Sequence, residues 1–187
     1  MNNENVNTIE ELKTIEKKLP TSPDELYKLL DNFKLKYKCY FHKPLNTVEE
    51  SKIVQKELLS SNKDFVHIKN LYLRDHKKKN FLIVAEQDQK IDLKVLKDVL
   101  CSGRLSFGSS ERLMENLGVF PGAVTPFSMI NGLKNNVMLY LDKNINSYSK
   151  IYAHPLVNHA TLEISVVDLI YFLNKMKITF NWINFES

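Results

Sequence analysis

All five glycines of this 187-residue chain, Gly103, Gly108, Gly118, Gly122 and Gly132, fall in one thirty-residue window, and the first hundred residues manage without any. At the heart of the window stands Gly118-Val-Phe-Pro-Gly-Ala-Val-Thr-Pro-Phe127. Glycine permits positive φ and close backbone approach, whereas proline fixes φ and removes a donor. The Gly122-x-x-x-Pro126 stretch is therefore a rigid loop whose peptide groups can be aimed at a small ligand group. The competing reading is a tight connection between two elements.

The length is that of one domain plus an appendage, and 43% hydrophobic with 26% charged residues is ordinary for a chain with a sizeable core. The opening Met1-Asn-Asn-Glu-Asn-Val-Asn has neither a basic start nor an apolar run, and no segment approaches the roughly 18 to 20 apolar residues that span a bilayer. A cytoplasmic protein with no membrane partner is expected. Cys39 and Cys101 are too few and too far apart for a zinc site or a disulfide framework. A net charge of +4 helps a polyanion approach without forming the basic stripe of a dedicated nucleic-acid binder, and DNA is not an expected partner.

Residues 8–19 read as a short polar helix ended by Pro20, loosely packed, so residues 1–20 form an extension and 21–187 the domain. Ser22-Pro-Asp-Glu25 is a capping box with proline at the first helical position, which predicts a helix from Pro23 to about Phe33. A strand at Tyr37 to Phe41 follows, then a second capping box, Thr47-Val-Glu-Glu50, opening a helix to about Leu59. Residues 64–74 and 80–86 flank Asp75-His-Lys-Lys-Lys-Asn80 and predict a hairpin with a basic tip. Helical spacing resumes from Asp92 to Leu100, a short strand spans Arg104 to Phe107, and Ser109 or Ser110 caps a helix that Gly118 ends. Strands are expected at Val137 to Leu141, Ile151 to Ala153, Thr161 to Ile164 and Thr179 to Phe185, with a helix from Asp168 to Lys175. Hairpins without a repeated βαβ unit argue for a mixed α/β, α+β-like domain: a largely antiparallel central sheet flanked by helices.

In the first hairpin strand, alternation puts Phe65, His67, Lys69, Leu71 and Leu73 on one face and Val66, Ile68, Asn70 and Tyr72 on the other. Both faces are largely apolar. Lys69 and Asn70 are out of place there unless they reach a pocket, because an unpaired buried ammonium is costly; snorkelling at the sheet rim is the alternative. His154-Pro155 ends a strand, and a lone histidine is as readily a hydrogen-bonded structural residue as a catalyst. Ser109 lacks the Gly-x-Ser-x-Gly context of a nucleophile and is better explained as a helix cap. No His-Glu-x-x-His, Walker loop or Gly-x-Gly-x-x-Gly occurs, so no metal or cofactor is expected.

Taken together, Lys69-Asn-Leu-Tyr-Leu-Arg-Asp75, Phe107-Gly-Ser109, the Gly118 to Phe127 loop, His154-Pro-Leu-Val-Asn158 and the His42 to Glu50 segment resemble the YbaK/ProX family of aminoacyl-tRNA deacylases, and within it the ProX-type prolyl-tRNA editing proteins. The resemblance covers roughly residues 22–187 and keeps the motif order. It implies a free-standing enzyme that hydrolyses alanine wrongly esterified to tRNA(Pro), a second sieve for a synthetase pocket that cannot reject a smaller amino acid strongly. By resemblance, Lys69 holds the 3′-terminal adenosine or its phosphate, and Asn70 and His154 position the substrate. Gly122, Ala123 and Pro126 present backbone groups to the ester and the attacking water, while Ser109 and the Asn46-Thr47 pair belong to the substrate-binding set. Asn46 stands where many members carry an aromatic residue, which leaves cysteine or serine as alternative substrates. The terminal ribose hydroxyl can itself assist water attack. Partners implied are the aminoacylated 3′ end of tRNA(Pro) and prolyl-tRNA synthetase. A non-catalytic tRNA-binding module is the alternative from a different class.

Overall fold

Ser22 and Glu25 cap the first helix of the domain reciprocally: the Glu25 amide donates to Ser22 Oγ at 3.3 Å, and the Ser22 amide donates to Glu25 Oε2 at 2.7 Å. Such a cap is worth about 1 kcal/mol and fixes where the chain turns inward. The structure is a computed structural model that describes residues 9–45, 48–58 and 62–185. In order, the elements are α1 (Ile9–Glu16), α2 (Pro23–Asn32), β1 (Tyr37–Phe41), α3 (Val48–Leu58), β2 (Phe65–Asp75), β3 (Asn80–Glu86), α4 (Leu93–Val99), β4 (Leu105–Phe107) and α5 (Ser110–Leu117). Then come α6 (Met129–Gly132), β5 (Val137–Asp142), β6 (Lys150–Ala153), β7 (Ala160–Ser165), α7 (Val166–Lys175) and β8 (Phe180–Ile183).

Seven strands form one sheet in the order β1-β7-β6-β2-β3-β5-β8, and β4 pairs with the far end of β2. The β1/β7, β6/β7, β2/β3 and β2/β4 pairs are antiparallel; β2/β6, β3/β5 and β5/β8 are parallel. The mixed α/β reading with a largely antiparallel sheet flanked by helices holds. Its boundaries shift in one instructive place. Ser165 caps α7 by accepting from the Asp168 amide at 2.9 Å, so β7 runs straight into a helix that starts at Val166, two residues before the sequence suggests.

The alternation along β2 is obeyed. Val66 and Tyr72 enter the larger core with Leu82, Val84, Leu26, Leu30, Phe127 and Phe172. Leu73, with Leu71 packed beside it, joins Phe81, Ile83, Leu96, Leu100 and Leu105 in a smaller core on the other face.

One strand edge organises everything that follows. β6 pairs with Phe65 to His67 of β2, and β4 pairs with Leu73 to Asp75 along the same edge, opposite β3. Between them, Ile68 to Leu71 have no strand partner on that side among the described residues, although the Gly108 amide reaches the Tyr72 carbonyl at 3.0 Å. Two strands parting along a third leave a notch in the sheet.

The N-terminal extension is tied down more firmly than its polar sequence suggests. Leu19 is buried against Val157 and Ala160, and Glu16 accepts from His159 Nε2 at 2.9 Å.

Candidate active site

The notch beside Ile68 to Leu71 holds a small cavity of about 40 Å³. It is lined by Leu45 from the loop after β1, Val54 and Gln55 of α3, His67 and Asn70 of β2, Gln87 after β3, His154 after β6 and Thr161 of β7. Side chains from six segments meet there, with α3 and β2 passing along the gap and the loops after β1, β3 and β6 opening beside it.

Asn70 brings an unsatisfied group. Its Oδ1 is buried with no hydrogen-bond partner among the described residues, a state that costs about 1–3 kcal/mol unless something binds there.

His154 brings a neutral imidazole. Its Nδ1 lies 2.7 Å from the Ala160 carbonyl, which can only accept, so Nδ1 carries the proton and Nε2 keeps a lone pair. Burial lowers the His154 pKa; the Ala160 carbonyl works against it and the neighbouring His42 and His159 with it. His42, with its ring centroid 6.2 Å from that of His154, is held the same way. Its Nδ1 donates to the Lys43 carbonyl at 2.8 Å and its Nε2 accepts from Thr161 Oγ1 at 2.9 Å. Thr161 therefore spends its proton on His42 and offers the cavity only acceptor lone pairs. Burial also lowers the His42 pKa. His67, stacked on Tyr152 at 4.5 Å with the planes 17° apart, is pushed down to about 4 by burial, against the pull of Asp88. The site is thus lined with uncharged imidazoles.

The glycine loop lies behind this cavity rather than on its wall. Gly122 has φ of +85°, and a Cβ there would stand 3.0 Å from the Leu45 carbonyl oxygen and 3.2 Å from Asn158 Nδ2. Its bareness lets the loop press against the place where the His42 and His154 segments join. Ala123 and Pro126 are buried away from the cavity. The Ala123 side chain packs inward with Val119 and Phe127. Ser109 is exposed and caps α5 by accepting from the Arg112 amide, so its hydroxyl is spent on the helix.

Lys69 has a partner within the protein. Lys69 does not line the cavity, although His67, on the same face of β2, does. The Lys69 ammonium donates to the Gln89 carbonyl in the turn after β3. Burial lowers its pKa, opposed by Asp88, Asp142 and Glu86. Asn46 and Thr47 lie outside the described residues. Of the residues expected from sequence, the structure brings Asn70 and His154 to one cavity and Gly122 close behind it. It adds Thr161, Gln55 and His67, which sequence alone did not single out; only the polarity of Thr161 and His67 within otherwise apolar strands could have flagged them.

A model of the aminoacyl-tRNA editing domain matches residues 42–172. The chain belongs to the aminoacyl-tRNA editing domain family. It is 41% identical over 141 residues to the prolyl-tRNA editing protein ProX of Acetoanaerobium sticklandii, covering 75% of this chain and 83% of that protein. It is 32% identical over 113 residues to prolyl-tRNA synthetase associated domain-containing protein 1 of Danio rerio, covering 59% of this chain and 61% of that one. The crystal structure of a candidate trans-editing enzyme for prolyl tRNA synthetase superposes with a TM-score of 0.60 at 18% identity, over 84% of this chain and 93% of that chain, and shares the fold. As a member of the editing family, the chain is a hydrolase of aminoacyl-tRNA esters. The matched range holds every residue of the notch and leaves out α1, α2, the end of α7 and the two edge strands of the sheet, β1 beside β7 and β8 beside β5. Among the described residues, no helix is long and apolar enough to cross a membrane, and no three His, Cys, Asp or Glu side chains are grouped to hold a metal ion.

Proposed function

We propose that this editing-domain protein clears alanine from mischarged tRNA(Pro), acting as a free-standing prolyl-tRNA editing enzyme. The observation that carries the reading is the pairing, in a cavity of about 40 Å³, of the unpartnered Asn70 Oδ1 with the proton-free Nε2 of His154. An aminoacyl ester presents a cationic α-ammonium, a small side chain and a carbonyl awaiting attack. Asn70 Oδ1 accepts a hydrogen bond from the ammonium and relieves its own desolvation. The apolar lining from Leu45 and Val54 takes the methyl side chain. In this reading the larger proline ring is excluded by the narrow cavity, and clash discriminates more sharply than a missing contact.

Hydrolysis requires water oxygen to bond to the ester carbonyl carbon, the carbon to ribose-oxygen bond to break, and the water's proton to reach the departing oxygen. His154 Nε2 accepts a hydrogen bond from the water and orients its lone pair. With its pKa lowered, His154 is a weak base, so the vicinal ribose hydroxyl is the group best placed to carry the proton across to the leaving oxygen. Products are free alanine and a tRNA with an intact 3′ end.

The test is a set of single-turnover deacylation rates on tRNA(Pro) charged with alanine, proline, cysteine or serine. Alanyl ester should be cleared fastest and prolyl ester spared. Equal rates on the alanyl and prolyl esters would sink the size sieve, and a faster cysteinyl or seryl rate would reassign the substrate. Binding without hydrolysis of any of the four would leave a tRNA-binding module instead.

A further inference from the structure

A second, larger space adjoins the small cavity. A cleft of about 480 Å³ shares Gln55, His67 and Gln87 with it and extends over Lys52, Lys56 and Lys63. A volume of that size is within the range of ligand sites, whereas about 40 Å³ accommodates only a small group. The three shared residues form a neck. There Gln55 Nε2 donates to Gln87 Oε1 at 2.6 Å and to Ser51 Oγ at 2.9 Å.

The charge of the larger cleft is arranged by wall. Lys52 and Lys56 sit one helical turn apart on α3 and so share a face, with Lys63 beyond them. The acidic groups, Glu86 and Asp88, come from the end of β3 and the turn after it, and each is occupied: the Tyr148 hydroxyl hydrogen-bonds Glu86, and Asp88 pairs with Lys52 at 3.1 Å. That last pair is half-exposed on the lysine side and 75% exposed on the aspartate side, so it is worth little and is readily exchanged for a stronger anion. Among the described residues, Lys56 and Lys63 have no ion-pair partner.

We infer that the Lys52, Lys56 and Lys63 wall binds the phosphates of the single-stranded 3′ end of the tRNA, delivering the terminal ester through the Gln55–Gln87 neck into the small cavity. The inference rests on the deacylase reading above. It adds that the acceptor strand enters from the α3 side, not across the basic tip of the β2–β3 hairpin. Three cations spaced along one wall match a strand that carries one charge per nucleotide.

The test compares the full-length wild type with a Lys52→Gln/Lys56→Gln/Lys63→Gln variant and with a control, Lys28→Gln/Lys94→Gln/Lys134→Gln, that removes the same charge elsewhere. The probe is an uncharged single-stranded RNA ending in CCA, its affinity measured across a salt series. Each phosphate contact on a single strand contributes about 0.7 to the slope of log affinity against log salt, so the cleft variant should lose about 2 from that slope and the control almost nothing. With charged tRNA the cleft variant should lose kcat/KM while keeping kcat at saturation. A cleft variant with the wild-type slope, or a control that loses as much, overturns the inference. Because the RNA probe bears no ester, its result stands even where wild type hydrolyses nothing, and that second outcome would count against the deacylase reading alone.

Discussion

Leu45 and Asn158 clasp each other through two hydrogen bonds: the Leu45 amide donates to the Asn158 carbonyl at 3.0 Å, and Asn158 Nδ2 donates to the Leu45 carbonyl at 3.0 Å. The clasp, with the His42 amide donating to the His159 carbonyl at 3.0 Å, ties the loop after β1 to the loop after β6. Leu45 and His154 line the small cavity from these two loops, so the clasp sets the distance between its walls. Gly122 is pressed against it from behind.

Gly122→Val should therefore cost activity without touching a catalytic group. A β-branched residue at φ of +85° is strained whatever the space, and its Cβ would crowd the Leu45 carbonyl at 3.0 Å. Strain of this kind costs about 1–3 kcal/mol. The expected result is a moderate fall in Tm and a steep fall in alanyl-tRNA(Pro) deacylation, with affinity for uncharged tRNA preserved. Retention of wild-type rates would mean that the loop does not brace the cavity.

Lys69→Ala probes a different support. The Lys69 ammonium is tied to the Gln89 carbonyl, in the turn that carries Gln87 to the neck of the cavity. Loss of that tie should release the turn and lower the deacylation rate at least about tenfold in a folded protein. Affinity for uncharged tRNA should stay within about twofold, since a phosphate-binding lysine would instead lower the salt slope by about 0.7. Lys69→Arg should rescue poorly, because a planar guanidinium does not reproduce a compact ammonium at the end of a four-carbon stem. A large drop in affinity with a shallower salt slope would return Lys69 to direct contact with the nucleotide.

The hairpin, the caps and the two faces of β2 were legible in the sequence because each is a local signal: alternation, a capping box, a turn between apolar runs. Asn70 and His154 were legible for the related reason that a polar residue stands out in an apolar strand or at its end. The notch was not. It exists because β6 and β4, whose registers pair residues such as His67 with Tyr152 and Leu73 with Phe107, stop short of each other on one edge of β2. Non-local registers are set by the packing of the whole sheet and leave no mark on a short window of sequence. For the same reason Thr161 looked like an ordinary strand residue until β7 placed its hydroxyl against His42. The capping role of Ser109 was visible, whereas the distance of Ala123 and Pro126 from the cavity depends on which way the loop folds over the core.

Stability should depend on pH through His67. Its folded pKa is pushed down to about 4 by burial from an ordinary value of 6.5. Between those values the unfolded chain holds a proton that the folded chain does not, so stability rises with pH across the window, is flat above it, and is lost as pH falls through it. The lowered pKa values of His42 and His154 act in the same direction. Urea midpoints measured from above the window down to its lower end should fall steadily in wild type. His67→Phe keeps a ring to stack on Tyr152 and should give a shallower fall. An identical dependence in the two proteins would show that His67 does not titrate differently on folding.

The sharpest separation of function from structure comes from Asn70→Leu. Asn70 sits on the larger-core face of β2 with its Oδ1 buried and unpartnered among the described residues, which is a standing cost to the fold in the absence of substrate. Leucine has nearly the same shape and no polar atom to desolvate, so Tm should hold or rise, in line with the roughly 1–3 kcal/mol that an unsatisfied buried group costs. Activity should move the other way. A hydrogen bond to a charged group is worth about 1.5–3 kcal/mol, so losing the acceptor for the α-ammonium should cut alanyl-tRNA(Pro) deacylation by about 10- to 100-fold. Asn70→Asp keeps an acceptor and adds a charge opposite the ammonium, and it should retain more activity than leucine while folding less stably, because the empty site must then bury a carboxylate. The measurements are Tm and single-turnover rate for all three proteins. A leucine variant that unfolds more easily yet hydrolyses the ester at the wild-type rate would make Asn70 a structural residue and remove the acceptor from the mechanism.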